Sequence, residues 1–254
     1  MKTKFLKYPL LILMVIFLLM INWSFLQDRA INLFQKFTRA ERLLSVKKRI
    51  IPELKNELNK KGFKIGDSVF LRIFKESNEL ELWMSDGEQY QLFKTYPIYY
   101  WSGKLGPKLK EGDKQSPEGF YKVDLNQLNS LSSYHLSFNI GFPNKFDRSL
   151  NRTGSFIMIH GDCVSIGCYA MTNEVIEEIY ILVEAAIRNT GQPLNIHAFP
   201  FRMTSQKMEE NLSSKWISFW WNLKIIHDYF ESSKKIPHLE VVNEKYVIDK
   251  GAQE

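Results

Sequence analysis

A run of twenty uncharged residues, Tyr8 to Gln27, sets the first constraint on this chain, because one part of it is built for hydrocarbon and the rest must fold in water. Its centre is Leu10-Leu11-Ile12-Leu13-Met14-Val15-Ile16-Phe17-Leu18-Leu19-Met20-Ile21, and Lys2, Lys4 and Lys7 precede it. About 20 apolar residues are what a helix needs to cross a bilayer. Cations ahead of such a run hold its N-terminus in the cytoplasm, so the chain beyond the run is exported. Cleavage after the run needs small side chains, whereas Asn22-Trp23-Ser24-Phe25-Leu26-Gln27 is bulky and Trp23 suits a membrane interface. Residues 1–27 therefore read as an uncleaved signal-anchor, with a cleaved signal peptide as the alternative. The remainder is expected to work outside the cytoplasmic membrane.

That remainder is globular. Apolar residues make up 44% of the chain and aromatic ones 14%, which excludes disorder for most of its length. Two cysteines in 254 residues exclude a disulfide scaffold. The net charge of +6 is scattered, with no basic block of the kind that binds nucleic acid, and no nucleic-acid partner is expected. From Ala30 to Lys61, Ile31, Phe34, Phe37, Leu43, Leu44, Ile51, Leu54 and Leu58 recur at helical spacing, and Pro52 marks a break or a first turn. The period then changes. Strands are expected at 69–74, 79–84, 89–101, 119–123, 134–139 and 155–160, separated by long Gly/Pro/Lys-rich segments at 102–117 and 141–154. Loops of that length in a compact domain are usually functional. Thr172 or Asn173 can cap a helix whose apolar face is Val175, Ile179, Leu182, Val183 and Ala186, with Gly191 ending it. A last helix over 214–230 carries Trp216, Phe219, Trp220, Leu223 and Phe230 on one side, a stripe that reads as packing.

Chemistry concentrates in His160-Gly161-Asp162-Cys163-Val164-Ser165-Ile166-Gly167-Cys168, directly after the apolar run Ser155-Phe156-Ile157-Met158-Ile159. A strand ending in His, a glycine-containing loop and then a cysteine can hold a thiol and its base on rigid elements. A free thiol, with a pKa of about 8.5, is mostly protonated at neutral pH, and a neighbouring imidazole can take its proton. The turn Ser165-Ile166-Gly167-Cys168 can offer backbone N–H groups to an oxyanion. Residue types alone leave alternatives open: a buried inert cysteine, a Cys163–Cys168 disulfide, or a zinc site using Cys163, Cys168, His160 and His197, whose spacing fits no common structural-zinc pattern. No Gly-rich phosphate loop, His-Glu-x-x-His helix or Gly-x-Ser-x-Gly elbow is present, and neither metal nor cofactor is expected.

The window, with Tyr169-Ala170-Met171 after it, resembles the His-Gly…Ser-x-Gly-Cys motif of the L,D-transpeptidases, the YkuD-type cysteine enzymes of bacterial cell walls. The likeness extends to Trp101–Lys108, Gly112–Tyr121, Phe138–Asn144 and Phe199–Thr204, which look like the YafK branch described in Gram-negative bacteria. It implies an α+β fold, with a mainly β YkuD-like catalytic core (a β-sandwich), helices at both ends and the N-terminal membrane segment. The expected organisation is 1–27 signal-anchor, 28–64 amphipathic helical region, 65–206 catalytic domain and 207–254 C-terminal helical extension.

The resemblance also implies roles. Cys168 is the expected nucleophile and His160 the proton acceptor and donor, with the Gly161 carbonyl orienting the imidazole. Ser165, Gly167 and Cys168 shape the oxyanion site, and Ser116-Pro117-Glu118-Gly119 corresponds to the family's Thr-Pro-x-Gly turn. Ile166 stands where the wider family often has a second His. The implied substrate is a diaminopimelate-containing peptidoglycan stem peptide, transferred through a thioester to an amine, in the periplasm and anchored in the inner membrane. Water as acceptor gives the alternative, a hydrolase acting on crosslinks or on lipoprotein-linked peptidoglycan. A non-catalytic wall-binding module and a thiol protease of ordinary proteins are the competing classes. Arg202, Lys104 and Lys108 are candidate substrate-binding residues for the carboxylates of the stem.

Overall fold

The computed structural model describes residues 9–249 and 251. The chain divides into two compact units, Met1–Ser45 and Val46–Glu254, and one helix, α1 (Pro9–Lys60), begins in the first and ends in the second. The segment read as a signal-anchor lies outside the described residues at positions 1–8 and, for its side chains, through residue 25. Among the described residues no helix is long and apolar enough to cross a membrane. The expected break at Pro52 is not present: α1 runs through it. Proline forfeits one intrahelical bond there, and the buried Leu54 and Leu58 anchor the next turns of the helix.

The second unit is a mixed α+β body. In chain order it contains β1 (Ser68–Phe74), β2 (Glu79–Ser85), β3 (Gln91–Pro97), β4 (Tyr100–Trp101), β5 (Gly119–Val123), β6 (Leu128–Asn129), β7 (Ser137–Asn139), α2 (Lys145–Ser149), β8 (Met158–His160), β9 (Tyr169–Ala170), α3 (Asn173–Thr190), β10 (Leu194–Phe199), α4 (Ser205–Glu210), α5 (Ile217–Ser233), β11 (Leu239–Val242) and β12 (Lys245–Ile248). The first sheet has the order β3-β2-β1-β10-β5 and the second β4-β9-β8-β7-β6. Each contains one parallel pair, β1 with β10 and β8 with β9. Where a β-sandwich was expected, α3 touches β1 and β10 of the first sheet and β7 and β8 of the second.

Helix α3 follows from its sequence. The Thr172 hydroxyl accepts the Val175 N–H at its start, and Gly191 at φ 66° ends it in the left-handed region that costs glycine nothing. Its apolar face, including Ile176, Ile179, Leu182 and Val183, is fully buried. On α5, Trp220, Leu223 and Ile226 join Phe74, Phe199 and Phe201 in one apolar cluster, so the aromatic stripe is packing. Truncating such a buried ring costs about 3–5 kcal/mol.

Several strand expectations change in instructive ways. Residues 89–101 split into β3 and β4, because after Pro97 the chain leaves the first sheet and Tyr99 donates to the Ala170 carbonyl of the second. The strands expected from 134 and 155 begin only at Ser137 and Met158, since His135 at φ 65° and Phe156 at φ 54° interrupt extended backbone. Strand β10, between β1 and β5 in the first sheet, was not anticipated. The stretch 207–254 is not wholly helical: it ends in the hairpin β11–β12, whose two turn residues, Asn243 and Glu244, both have positive φ, as a type I′ turn requires. That hairpin buries Tyr246, whose hydroxyl bonds the side chain of Asn144 and the backbone of Phe120.

Candidate active site

The parallel pairing of β8 and β9 brings the two ends of the His–Cys window together. Ile159 pairs with Tyr169, so Cys168, one residue before β9, stands level with Met158. The Met158 N–H donates to Sγ of Cys168 at 3.3 Å, and the thiol faces the Phe156 carbonyl at 3.7 Å. His160, at the end of β8, is buried, and its Nδ1 bonds the Gly161 carbonyl. A carbonyl only accepts, so Nδ1 carries the proton and Nε2 keeps a lone pair. Both side chains line one cavity of about 360 Å³, with Tyr134, Phe156, Val164 and Ile166 among its other walls. The Tyr134 ring lies 5.0 Å from the imidazole. Two larger cavities, of about 470 and 420 Å³, open elsewhere, and neither contains a cysteine.

Burial sets the resting protonation of the pair. It lowers the His160 pKa below the ordinary histidine value, against the opposing pulls of the Gly161 hydrogen bond and the Asp162 charge. It raises the Cys168 pKa above that of a free thiol, while the Met158 N–H and the Lys108 charge act the other way. Both shifts favour the uncharged forms, a thiol and an imidazole on the walls of one cavity, the pairing in which a base can accept a thiol proton.

The loop between them is pinned. A side chain on Gly161 would meet Asn173 Oδ1 at 2.7 Å and His135 and Ile176 at 3.0 Å, so this glycine is a close-approach position. Gly167, at φ 138°, holds a conformation that other residues rarely adopt. Ser165 and Gly167, expected to shape the oxyanion site, bond each other: the Gly167 N–H donates to Ser165 Oγ at 3.2 Å, and that hydroxyl donates to the Cys168 carbonyl at 2.7 Å. The Cys168 N–H has no hydrogen-bond partner among the described residues, which leaves it as the donor available to an oxyanion. Cys163 is exposed, and both cysteines are free thiols. His197 of the zinc alternative lies in β10 of the other sheet, buried among Phe70, Phe120 and Phe199.

The YkuD family, described as the L,D-transpeptidase catalytic domain, matches residues 70–196. The chain belongs to the YkuD L,D-transpeptidase family. Two YafK proteins, of Escherichia coli K12 and of Escherichia coli O157:H7, named as candidate L,D-transpeptidases, are each 49% identical to it over 187 residues, covering 73% of this chain and 76% of theirs. Among solved structures, the helical cell shape determining protein Pgp2 of Campylobacter jejuni aligns at 18% identity and a TM-score of 0.42, covering 75% of this chain and 80% of its own. Bdellovibrio bacteriovorus Bd1075 aligns at 19% and 0.37, covering 72% and 78%.

In this chain the three expected carboxylate-binding cations are not gathered at the thiol. Arg202 is occupied elsewhere: it donates to Glu79 at 2.7 and 3.0 Å and to Glu81 at 2.7 Å, stacks on Phe74 at 4.3 Å, and lines no wall of the cavity. Two carboxylates on β2 already answer its charge. Lys104 is exposed. Lys108 is buried, with its ammonium on Asp113 and the Lys110 carbonyl, yet its charge reaches Cys168.

Sequence reasoning missed the group that organises the 102–118 loop. The Lys75–Glu118 ion pair is completely buried at 2.9 Å. Lys75 Nζ also donates to the carbonyls of Lys104, Gly106 and Ser116, and Glu118 takes the Gly106 N–H and the Trp220 indole. A lysine after an apolar strand carries no local signal of this, because every partner is distant in sequence.

Proposed function

We propose that this L,D-transpeptidase acts on peptidoglycan stem peptides through a thioester on Cys168. His160 Nε2 takes the thiol proton as sulfur attacks the carbonyl on the L-centre of diaminopimelate. The tetrahedral oxyanion draws on the Cys168 N–H, and the intermediate collapses by expelling an amine that receives the proton from His160. Sulfur then carries the acyl group. An incoming amine of a second stem attacks the thioester, restores the thiol and completes the transfer. The observation that carries this reading is the shared cavity: a thiol and an imidazole line the same walls, and neither the Nε2 of that imidazole nor the Cys168 N–H has a partner among the described residues. Work outside the cytoplasmic membrane, with residues 1–27 as the anchor, fits a substrate that lies there.

The test is to incubate the full chain with diaminopimelate-containing muropeptides and with lipoprotein-linked sacculi, and to read products by mass spectrometry. A crosslinked dimer marks an amine acceptor, and a released peptide marks water. No product and no acyl adduct on Cys168, with the parent indistinguishable from Cys168→Ala, rejects the enzyme reading in favour of a wall-binding module. Digestion of casein with muropeptides left intact favours a protease.

A further inference from the structure

The backbone of Cys168 is held from two sides by hydroxyls, and one of them comes from outside the His–Cys window. Ser116 is completely buried, and its hydroxyl donates to the Cys168 carbonyl at 3.0 Å, next to the Ser165 hydroxyl at 2.7 Å. Ser116 is itself fixed at both ends. Its Oγ accepts the Ser102 N–H at 3.1 Å, and its carbonyl accepts from Lys75 Nζ at 3.0 Å. Lys75 is held in turn by Glu118 inside the protein, so the chain of contacts ends on a buried ion pair and not on a mobile surface group. Because Ser165 also takes the Gly167 N–H, the residue before the nucleophile and the carbonyl after its Cα are both tied down.

We propose that Ser116, anchored by the Lys75–Glu118 pair, is a positioning residue for the nucleophile. It fixes the Cys168 carbonyl so that Sγ stays against the Met158 N–H and the Cys168 N–H stays free for the oxyanion. Ser116 touches no reacting atom. Its contribution is orientation, and misplacing a nucleophile by about 1 Å is enough to slow a reaction on the order of a hundredfold.

The inference rests on the thioester reading, and the test separates the two. The full chain carries Cys163→Ser throughout, so Cys168 is the one thiol, and Ser116→Ala is compared with Ser116→Thr, which keeps the hydroxyl. Turnover of a diaminopimelate-containing muropeptide, thermal midpoint, and the rate of Cys168 alkylation by iodoacetamide are measured. In Ser116→Ala, kcat falls at least about tenfold while KM stays within about twofold. Its thermal midpoint moves by no more than about 8 °C, as loss of the two hydrogen bonds of that hydroxyl predicts, and the alkylation rate changes at least about threefold. Ser116→Thr returns both rates to within about threefold of the parent. An unchanged kcat in Ser116→Ala, or a Ser116→Thr as slow as Ser116→Ala, overturns the positioning role. A parent that turns over no muropeptide rejects the thioester reading instead, and the alkylation rates then decide: equal rates in parent and Ser116→Ala overturn the proposal, and a change reversed by Ser116→Thr upholds it.

Discussion

Each five-stranded sheet contains a buried histidine, and the two have different surroundings. His160 ends β8 with Nδ1 on a carbonyl and with Cys168 on the wall of the same cavity. His197 lies inside β10, ringed by Phe70 at 4.7 Å and Phe120 at 4.4 Å, and its Nδ1 has no partner among the described residues. Burial is the leading cause of a lowered pKa in both. Burial and a shifted pKa therefore do not by themselves mark a base. What separates the two is a fixed tautomer and a nucleophile within the same cavity.

The largest expected effect lies in the second sheet. Cys168→Ala removes the attacking atom and His160→Asn removes the acceptor, and each lowers kcat/KM by at least about a thousandfold with the fold retained. The check is turnover beside a circular dichroism melt. Comparable turnover in Cys168→Ala would break the comparison outright, because the cavity would then hold no more chemistry than the core of the first sheet.

Next comes the ion pair on the end of the first sheet. Lys75→Met leaves Glu118 charged and buried without its partner, which costs about 3–5 kcal/mol of stability. Removing both charges in Lys75→Met/Glu118→Leu recovers only part of that loss: no charge is left buried alone, but the carbonyls of Lys104, Gly106 and Ser116, the Gly106 N–H and the Trp220 indole lose their partners. Denaturant midpoints of the three proteins measure this, and a double variant no more stable than the single would contradict it.

A smaller effect tests the reach of Lys108. Its charge holds the Cys168 thiol below where burial alone would put it, so Lys108→Met raises the thiol pKa further. At pH 7 the thiolate fraction falls, and alkylation of Cys168 slows about two- to threefold, with the midpoint of its pH profile displaced upward. A profile that stays in place means that Asp113 cancels the lysine at the thiol.

How much of the fold and the site could be read in advance depends on sequence distance. The site window was legible because His160 and Cys168 are eight residues apart, and one strand, one glycine loop and one cysteine describe it. Helix α3 was legible for the same reason, through Thr172 and Gly191 at its ends. Strand β10 was not, because its parallel partner β1 lies more than a hundred residues away, at Phe70↔Asn195, and a run containing Asn195 and His197 lacks a continuous apolar signature. Arg202 misled for a similar reason: an arginine between aromatic residues looks like a carboxylate trap, and only the fold supplies Glu79 and Glu81 to fill it. The hairpin β11–β12 did have a local signal, two turn residues between short β-branched runs, which the preceding helix overshadowed.

The smallest expected effect on activity belongs to His197, and it sharpens the comparison most. His197→Phe keeps a planar ring among Phe70, Phe120 and Phe199 and removes a buried nitrogen that has no partner among the described residues. Relief of that nitrogen and mild overpacking oppose each other, so stability at pH 7 stays within about 1 kcal/mol and turnover within about twofold. The pH dependence changes instead. Burial first, then the Arg72 and His227 charges, hold the His197 pKa well below the ordinary value, so the unfolded chain binds a proton that the folded one refuses. Stability supported by the neutral ring is present above about pH 6.5 and is lost as pH falls from there toward the depressed folded value. His197→Phe removes that contribution and flattens part of the acid limb of a stability profile, while His160 and His227, whose pKa values are lowered the same way, keep theirs. If His197→Phe instead reduced kcat strongly at unchanged stability, the two histidines would belong to one coupled system and their separation into a working base and a packed ring would fail.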